Sequence, residues 1–201
     1  LESFVLDPKA DKILFAATEL FLEVGYAAAS MDAVAKRAQV SKTTLYSRFP
    51  SKEQLFSACV RAVCDQHYGF TPEMFDHIEV ADALEQLGDS FLALIWSPAA
   101  LRGEQVIVGE AARLPELARL YFDSGPAQTI ALVVRFFERT TAQGRLRVDD
   151  PQFAARQFFA VLRGHIDCEL RLGLCQPPEP EARRGHVRKV VRMFLDGVGG
   201  R

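Results

Sequence analysis

Five basic side chains and a run of small hydroxyls crowd into one short stretch of this 201-residue sequence. Residues 30–56 read SMDAVAKRAQVSKTTLYSRFPSKEQLF. Between residues 30 and 52, Lys36, Arg37, Lys42, Arg48 and Lys52 stand against Asp32 alone. Five minus one leaves +4 inside a chain whose formal net charge is −2. Lys and Arg neutralise phosphate oxygens, while hydroxyls and Lys can also donate to the edges of bases. A whole-chain balance near zero gives no sign of nucleic acid, so any basic surface must be local, and this segment supplies one.

The elements that must hold these groups can be read from caps and spacing. Ser30 is placed to cap a helix carrying Met31, Val34, Ala35 and Ala38 on its inner face. Gln39-Val40 makes a short turn, Ser41 caps the next helix through Phe49, and Pro50 stops it. With Leu45 on the buried side, a rotation of about 100° per residue brings Phe49 beside it and turns Thr43 and Ser47 outward. Thr44 and Tyr46 flank that outward face, and Lys42 stands at the exposed N-terminal end. Thr and Ser are weak helix formers, so a solvent face built of them is poor for stability alone. It suits a helix lying in the major groove of DNA. A solvated helical hairpin whose charges meet nothing is the competing explanation. The tight turn, the caps and the short polar helix together favour the groove.

Other chemistry finds little support. There is no GxSxG, HExxH, phosphate-binding loop or dinucleotide fingerprint, so no catalytic residue and no cofactor is assigned, and the chain is not expected to be an enzyme. His67, His77, His165 and His186 lack metal-ligand spacing, so no metal is assigned. Cys59, Cys64, Cys168 and Cys175 form no CxxC and are read as reduced packing residues. No apolar run reaches the about 18–20 residues that span a bilayer, and no signal peptide is evident, so a cytoplasmic location is expected.

The rest of the chain reads as helices throughout. The first opens at Asp7-Pro8, carries Ile13, Leu14, Ala17, Leu20, Phe21 and Val24 on one stripe, and ends at Gly25. Ser51 with Gln54 opens a long fourth helix to about Gly69. Five or six more follow, punctuated by Thr71-Pro72, Ser97-Pro98, Pro115, Gly125-Pro126, Gly144, Asp150-Pro151 and Gln176-Pro177-Pro178. The expected fold is all-α: a three-helix, helix-turn-helix head over residues 1–52 and a larger helical body over residues 53–201.

The string Val40-Ser41-Lys42-Thr43-Thr44-Leu45-Tyr46, followed by Phe49-Pro50-Ser51-Lys52-Glu53-Gln54-Leu55-Phe56, resembles the signature of the tetracycline-repressor (TetR) family. Phe21, Gly25-Tyr26 and Met31-Asp32-Ala33-Val34-Ala35 match the two helices before it. Around Val106–Gly144 and through Asp149-Asp150-Pro151, the body resembles the AefR-like C-terminal domain of that family. The resemblance implies a DNA-binding transcriptional regulator, most simply a ligand-released repressor that binds a palindromic operator as a homodimer. It implies base or adjacent phosphate contacts for Lys42, Thr43, Thr44, Tyr46 and Ser47, and phosphate contacts for Ser30, Ser41, Arg48 and Lys52. Thr43 stands where many members have Gly, and Ser47-Arg48 replaces a common His-Tyr pair. The alternative is a helical small-molecule-binding module or enzyme with no DNA role.

In the body, Ala154, Phe158, Val161, His165, Cys168 and Leu172 recur at steps of four and three. Ala160 and Gly164 lie beside them, and Val187, Val190, Val191, Phe194 and Val198 form a second apolar face. The resemblance makes these two helices the expected core of a homodimer; packing inside one subunit is the other possibility. Partners are therefore double-stranded operator DNA, a second copy, and an unidentified small, largely apolar effector, with no membrane. Trp96, Phe136 and Phe137, with Gln105, Glu110, Arg163 and His165 as polar groups, are the residues expected to meet the effector.

Overall fold

The structure is a computed structural model that describes residues 8–67 and 69–198, with the side chain of Val198 excluded. Asp7, expected to cap the first helix, lies outside the described residues, as does the Val198 side chain from the second apolar face. The described residues hold no strand. In chain order the helices are α1 (Pro8–Ala28), α2 (Met31–Arg37), α3 (Lys42–Arg48), α4 (Lys52–Asp65), α5 (Val80–Ile95), α6 (Pro98–Ala111), α7 (Pro115–Ser124), α8 (Pro126–Ala142), α9 (Pro151–Arg171) and α10 (Pro180–Val198), with a short 3₁₀ turn at Pro72–Phe75.

Proline opens seven of these elements because its fixed φ suits a first turn whose N–H groups have no partner. Ser30, Ser41 and Asp150 cap α2, α3 and α9 by accepting from Ala33, Thr44 and Phe153 N–H. Gly25, expected to end α1, instead breaks it at φ 81° and ψ 166°, and the helix resumes to Ala28. α4 stops at Asp65, short of the expected Gly69.

The chain divides into two compact units. The first takes the described residues up to Val63 together with Arg102–Gly125. Its core joins Ile13, Ala17, Leu20 and Phe21 of α1 to Val34, Leu45, Leu55 and Phe56, with Ile107 and Leu117 from α6 and α7. Val24 does not share that core: it is exposed, and Ala16 is buried instead. The buried stripe of α1 ends at Phe21, and Tyr26, beyond the break at Gly25, packs against that ring.

The second unit takes the described residues of Cys64–Leu101 and those from Pro126 onward. Here α5, α8, α9 and α10 enclose an aromatic core of Phe75, Phe91, Phe136, Phe137, Phe158, Phe159 and Phe194. The apolar faces assigned to dimerisation are largely spent in this core, since Ala154, Phe158, Val187, Val190, Val191 and Phe194 are all buried within one subunit. His165, Cys168 and Leu172 are exposed. α9 breaks at Gly164 (φ 54°, ψ −163°), so the stripe does not keep one face across it, and its His165–Leu172 end looks outward.

Candidate nucleic-acid interface

Leu45 is fully buried and anchors α3, so truncating it to Ala would cost about 2–5 kcal/mol. Around that anchor Lys42, Thr43, Tyr46, Ser47 and Arg48 are exposed and Thr44 is half-buried, as the helical rotation requires. The turn from α2 is tight because Gln39 takes a left-handed φ of 55°, which lets Val40 N–H reach back to the Ala35 carbonyl at 3.0 Å. The nine residues expected to meet DNA, from Ser30 to Lys52, all lie on this first unit.

Several of their polar groups already have work. Ser30 Oγ accepts from Ala33 N–H at 3.1 Å and Ser41 Oγ from Thr44 N–H at 3.0 Å. The Ser41 and Thr44 hydroxyls are 2.8 Å apart, and Ser47 Oγ donates to the Thr44 carbonyl at 3.0 Å. Lys42 Nζ donates to Asp32 Oδ2 at 2.6 Å, and that carboxylate raises the lysine above its usual 10.5. Lys52 Nζ donates to the Ala27 carbonyl at 3.2 Å and stands 4.4 Å over the Tyr26 ring. Partial burial lowers its pKa. Tyr26 donates in turn to Glu53 Oε1 at 3.3 Å; burial and the neighbouring carboxylate push the phenol up to about 12. Lys52 therefore ties the start of α4 to the end of α1.

The residues expected to meet an effector are divided between the two units. Trp96 and Arg163 converge: the indole donates to buried Asp167 at 3.1 Å and the guanidinium at 3.0 Å. Phe136 and Phe137 are core, the first edge-on to Phe75 and the second stacked on Phe194. His165 is exposed, 3.5 Å from Glu169. Gln105 and Glu110 belong to the first unit; Gln105 is exposed, and Glu110 Oε1 lies 2.6 Å from where a Cβ on Gly25 would sit. Its Oε2 is buried with no hydrogen-bond partner.

Sequence reasoning missed a cleft of about 460 Å³ in the second unit, where Asp82, Glu85 and Asp89 of α5 face Arg184, Val187 and Arg188 of α10. The signal was present as an acidic repeat at steps of three and four along α5. It also missed Asp32 as the partner of Lys42, since only the fold brings residues ten apart together. Among the described residues no three His, Cys, Asp or Glu side chains are grouped as a metal site would need.

Comparison with known proteins decides the family. The profile for the AefR-like transcriptional repressor C-terminal domain matches residues 82–197, and that for bacterial regulatory proteins of the tetR family matches residues 13–59. The chain belongs to the TetR family. It is a DNA-binding transcriptional regulator of all-helical fold. It is similar to the HTH-type transcriptional activator FasR of Mycolicibacterium smegmatis, 44% identical over 59 residues. That match takes in 29% of this chain and only 27% of FasR. Two solved structures run nearly end to end with it. The Flavonoid-responsive Regulator FrrA is 37% identical with a TM-score of 0.74, covering 94% of this chain and 96% of FrrA. A TetR-family regulator from Mesorhizobium loti is 27% identical with a TM-score of 0.77, over the same shares. No single helix among the described residues is long and apolar enough to cross a membrane.

Proposed function

We propose that this TetR-family protein is a homodimeric repressor that reads a palindromic operator with α3 and is released by a small, largely apolar effector. One observation carries the DNA-reading assignment. Leu45 is fully buried while Lys42, Thr43, Tyr46, Ser47 and Arg48 stand exposed, inside the segment of local charge +4. Lys42, Thr43, Thr44, Tyr46 and Ser47 face the groove and its edges. Ser30, Ser41, Arg48 and Lys52 hold phosphates, with the caps of α2 and α3 aiming helix N-termini at the backbone.

Exposed small and apolar residues on the last two helices support dimerisation. Ala160, Gly164, His165 and Cys168 on α9, Leu172 just after it and Met193 on α10 leave an uncovered face. A twofold dimer matches a palindrome whose half-sites lie about 34–36 Å apart. The likeness to a flavonoid-responsive regulator makes a flat aromatic compound the first effector class to test. An effector favouring the DNA-incompatible form shifts the population and frees the operator, and by linkage the operator weakens effector binding by the same factor. Residues 1–52 serve as the reading head and 53–201 as the effector and dimer domain. The protein has no catalytic role and acts in the cytoplasm.

Selection from a random-sequence duplex library tests this reading. Enrichment of a palindrome, bound by two copies of the chain, is the expected result. Binding without any enrichment would leave a sequence-blind DNA binder, and no binding would leave a helical ligand-binding module.

A further inference from the structure

We propose that Asp32 is a specificity-determining residue that acts through Lys42, steering its ammonium toward neutral acceptors on base edges and away from phosphates. The proposal rests on the reading of α3 as the DNA-contacting helix and adds a role for an acid within it. Asp32 is the single acidic residue between positions 30 and 52. Its Oδ2 lies 2.6 Å from Lys42 Nζ, with the two side chains 59% and 65% exposed. So open an ion pair does little for the fold. Asp32 also suits the positive end of α2, but that helix has its Ser30 cap already.

The consequence for DNA follows from donor count and charge. A lysine ammonium has three N–H donors. Asp32 engages one and fixes the direction of an otherwise floppy stem, leaving the others for DNA. A phosphate brings a full negative charge beside the Asp32 carboxylate, so two anions repel and compete for one cation. Guanine O6 or N7 is a neutral acceptor and can take a remaining N–H while the tether holds. Every sequence offers phosphates, whereas only some offer a base acceptor at the right place. Asp32 therefore weakens the sequence-blind contact of Lys42 and spares the sequence-reading one.

The test compares full-length wild type, Asp32→Asn, Lys42→Ala and the double variant by fluorescence anisotropy over a series of salt concentrations. Two probes are used: a mixed-sequence duplex, and a duplex enriched from a random library by the wild-type protein. Asp32→Asn should bind the mixed-sequence duplex several-fold tighter, with a log–log salt slope steeper by about 0.9 for each further phosphate neutralised. Its affinity for the enriched duplex should change less, so discrimination falls. In the Lys42→Ala background the same substitution should leave the slope unchanged. Circular dichroism confirms folding, and Asp32→Ser, which keeps a small polar residue in the first turn of α2, repeats the test if Asn melts early. An unchanged slope, or an equal effect with and without Lys42, overturns the proposal while wild-type DNA binding stands. Failure of the wild type to bind either duplex overturns both it and the reading it rests on.

Discussion

The Trp96 indole Nε1 donates to Asp167 Oδ1 at 3.1 Å, joining residues 71 positions apart at the end of α5 and along α9. Asp167 is buried and is also held by Arg163 at 3.0 Å, with Arg171 at 3.5 Å. A buried carboxylate is tolerated only when its lone pairs are filled. Trp96→Phe keeps an aromatic ring but removes the donor, so it should lower stability by about 1–3 kcal/mol. Urea unfolding followed by circular dichroism reads this directly. An unchanged midpoint would mean that the arginines alone satisfy Asp167.

Acid sensitivity should centre on Asp76. Arg139 Nε and Nη2 donate to its two oxygens at 2.6 Å each, and Gln143 adds a bond at 3.0 Å. These donors, Arg139 first, hold the carboxyl well below its ordinary 3.8. A folded-state pKa depressed in this way contributes stability above the unfolded value, lost as pH falls toward the native one. Asp76→Asn should therefore melt earlier than wild type at neutral pH, with the gap closing below about pH 4. Thermal melts across that range check it; a gap independent of pH would make the loss one of shape and not of charge.

Lys42 and Lys52 should separate cleanly although both are bases of the reading head. Lys42→Ala and Tyr46→Ala remove exposed groups off the buried face, so melting should stay put while preference for the enriched duplex is lost. Lys52→Ala removes the bond to the Ala27 carbonyl and the stack on Tyr26, costing about 0.5–1 kcal/mol for the cation–ring contact alone. It should weaken binding to all duplexes alike and flatten the salt slope by about one unit per site. A changed sequence preference with an unchanged slope would take Lys52 away from phosphate.

Much of the head was legible because its signals are local. Ser30 and Ser41 act as caps within three residues of their partners, and Leu45 faces inward because helical rotation leaves it no other side. Long-range pairing left no such mark. Nothing near Lys52 in sequence announces Tyr26, and nothing near Lys42 announces Asp32. In the body the step of three and four along α9 is helical on either side of Gly164, where the helix breaks, so it is not one outward stripe. The positive-φ break at Gly164 (φ 54°, ψ −163°) separates buried Phe158 from exposed Cys168, so one repeat in the sequence serves two surroundings. Phe136 and Phe137 show why an effector site is hard to read: pocket-lining and core-filling side chains share composition, and only tertiary neighbours tell them apart.

Thiol chemistry offers the last test, and it bears on both regulation and assembly. Cys59 is buried with its Sγ 3.6 Å from the Leu14 carbonyl, and burial pushes the thiol up to about 11. Cys64 is raised to about 11 by partial burial and by Asp65. At pH 8 a thiol of that pKa is only about one part in a thousand thiolate, the reactive form, so both should label slowly with an aromatic disulfide reagent. Cys168 is exposed on α9 and should label first. Mild oxidant should then leave DNA binding unchanged, and rapid reaction at Cys59 or Cys64 with loss of binding would instead make the protein a thiol sensor. Because Cys168 lies on the face assigned to the homodimer, its labelling should also slow as protein concentration rises. A rate that does not change across a dilution series spanning the monomer–dimer transition would place the dimer contact elsewhere on the body.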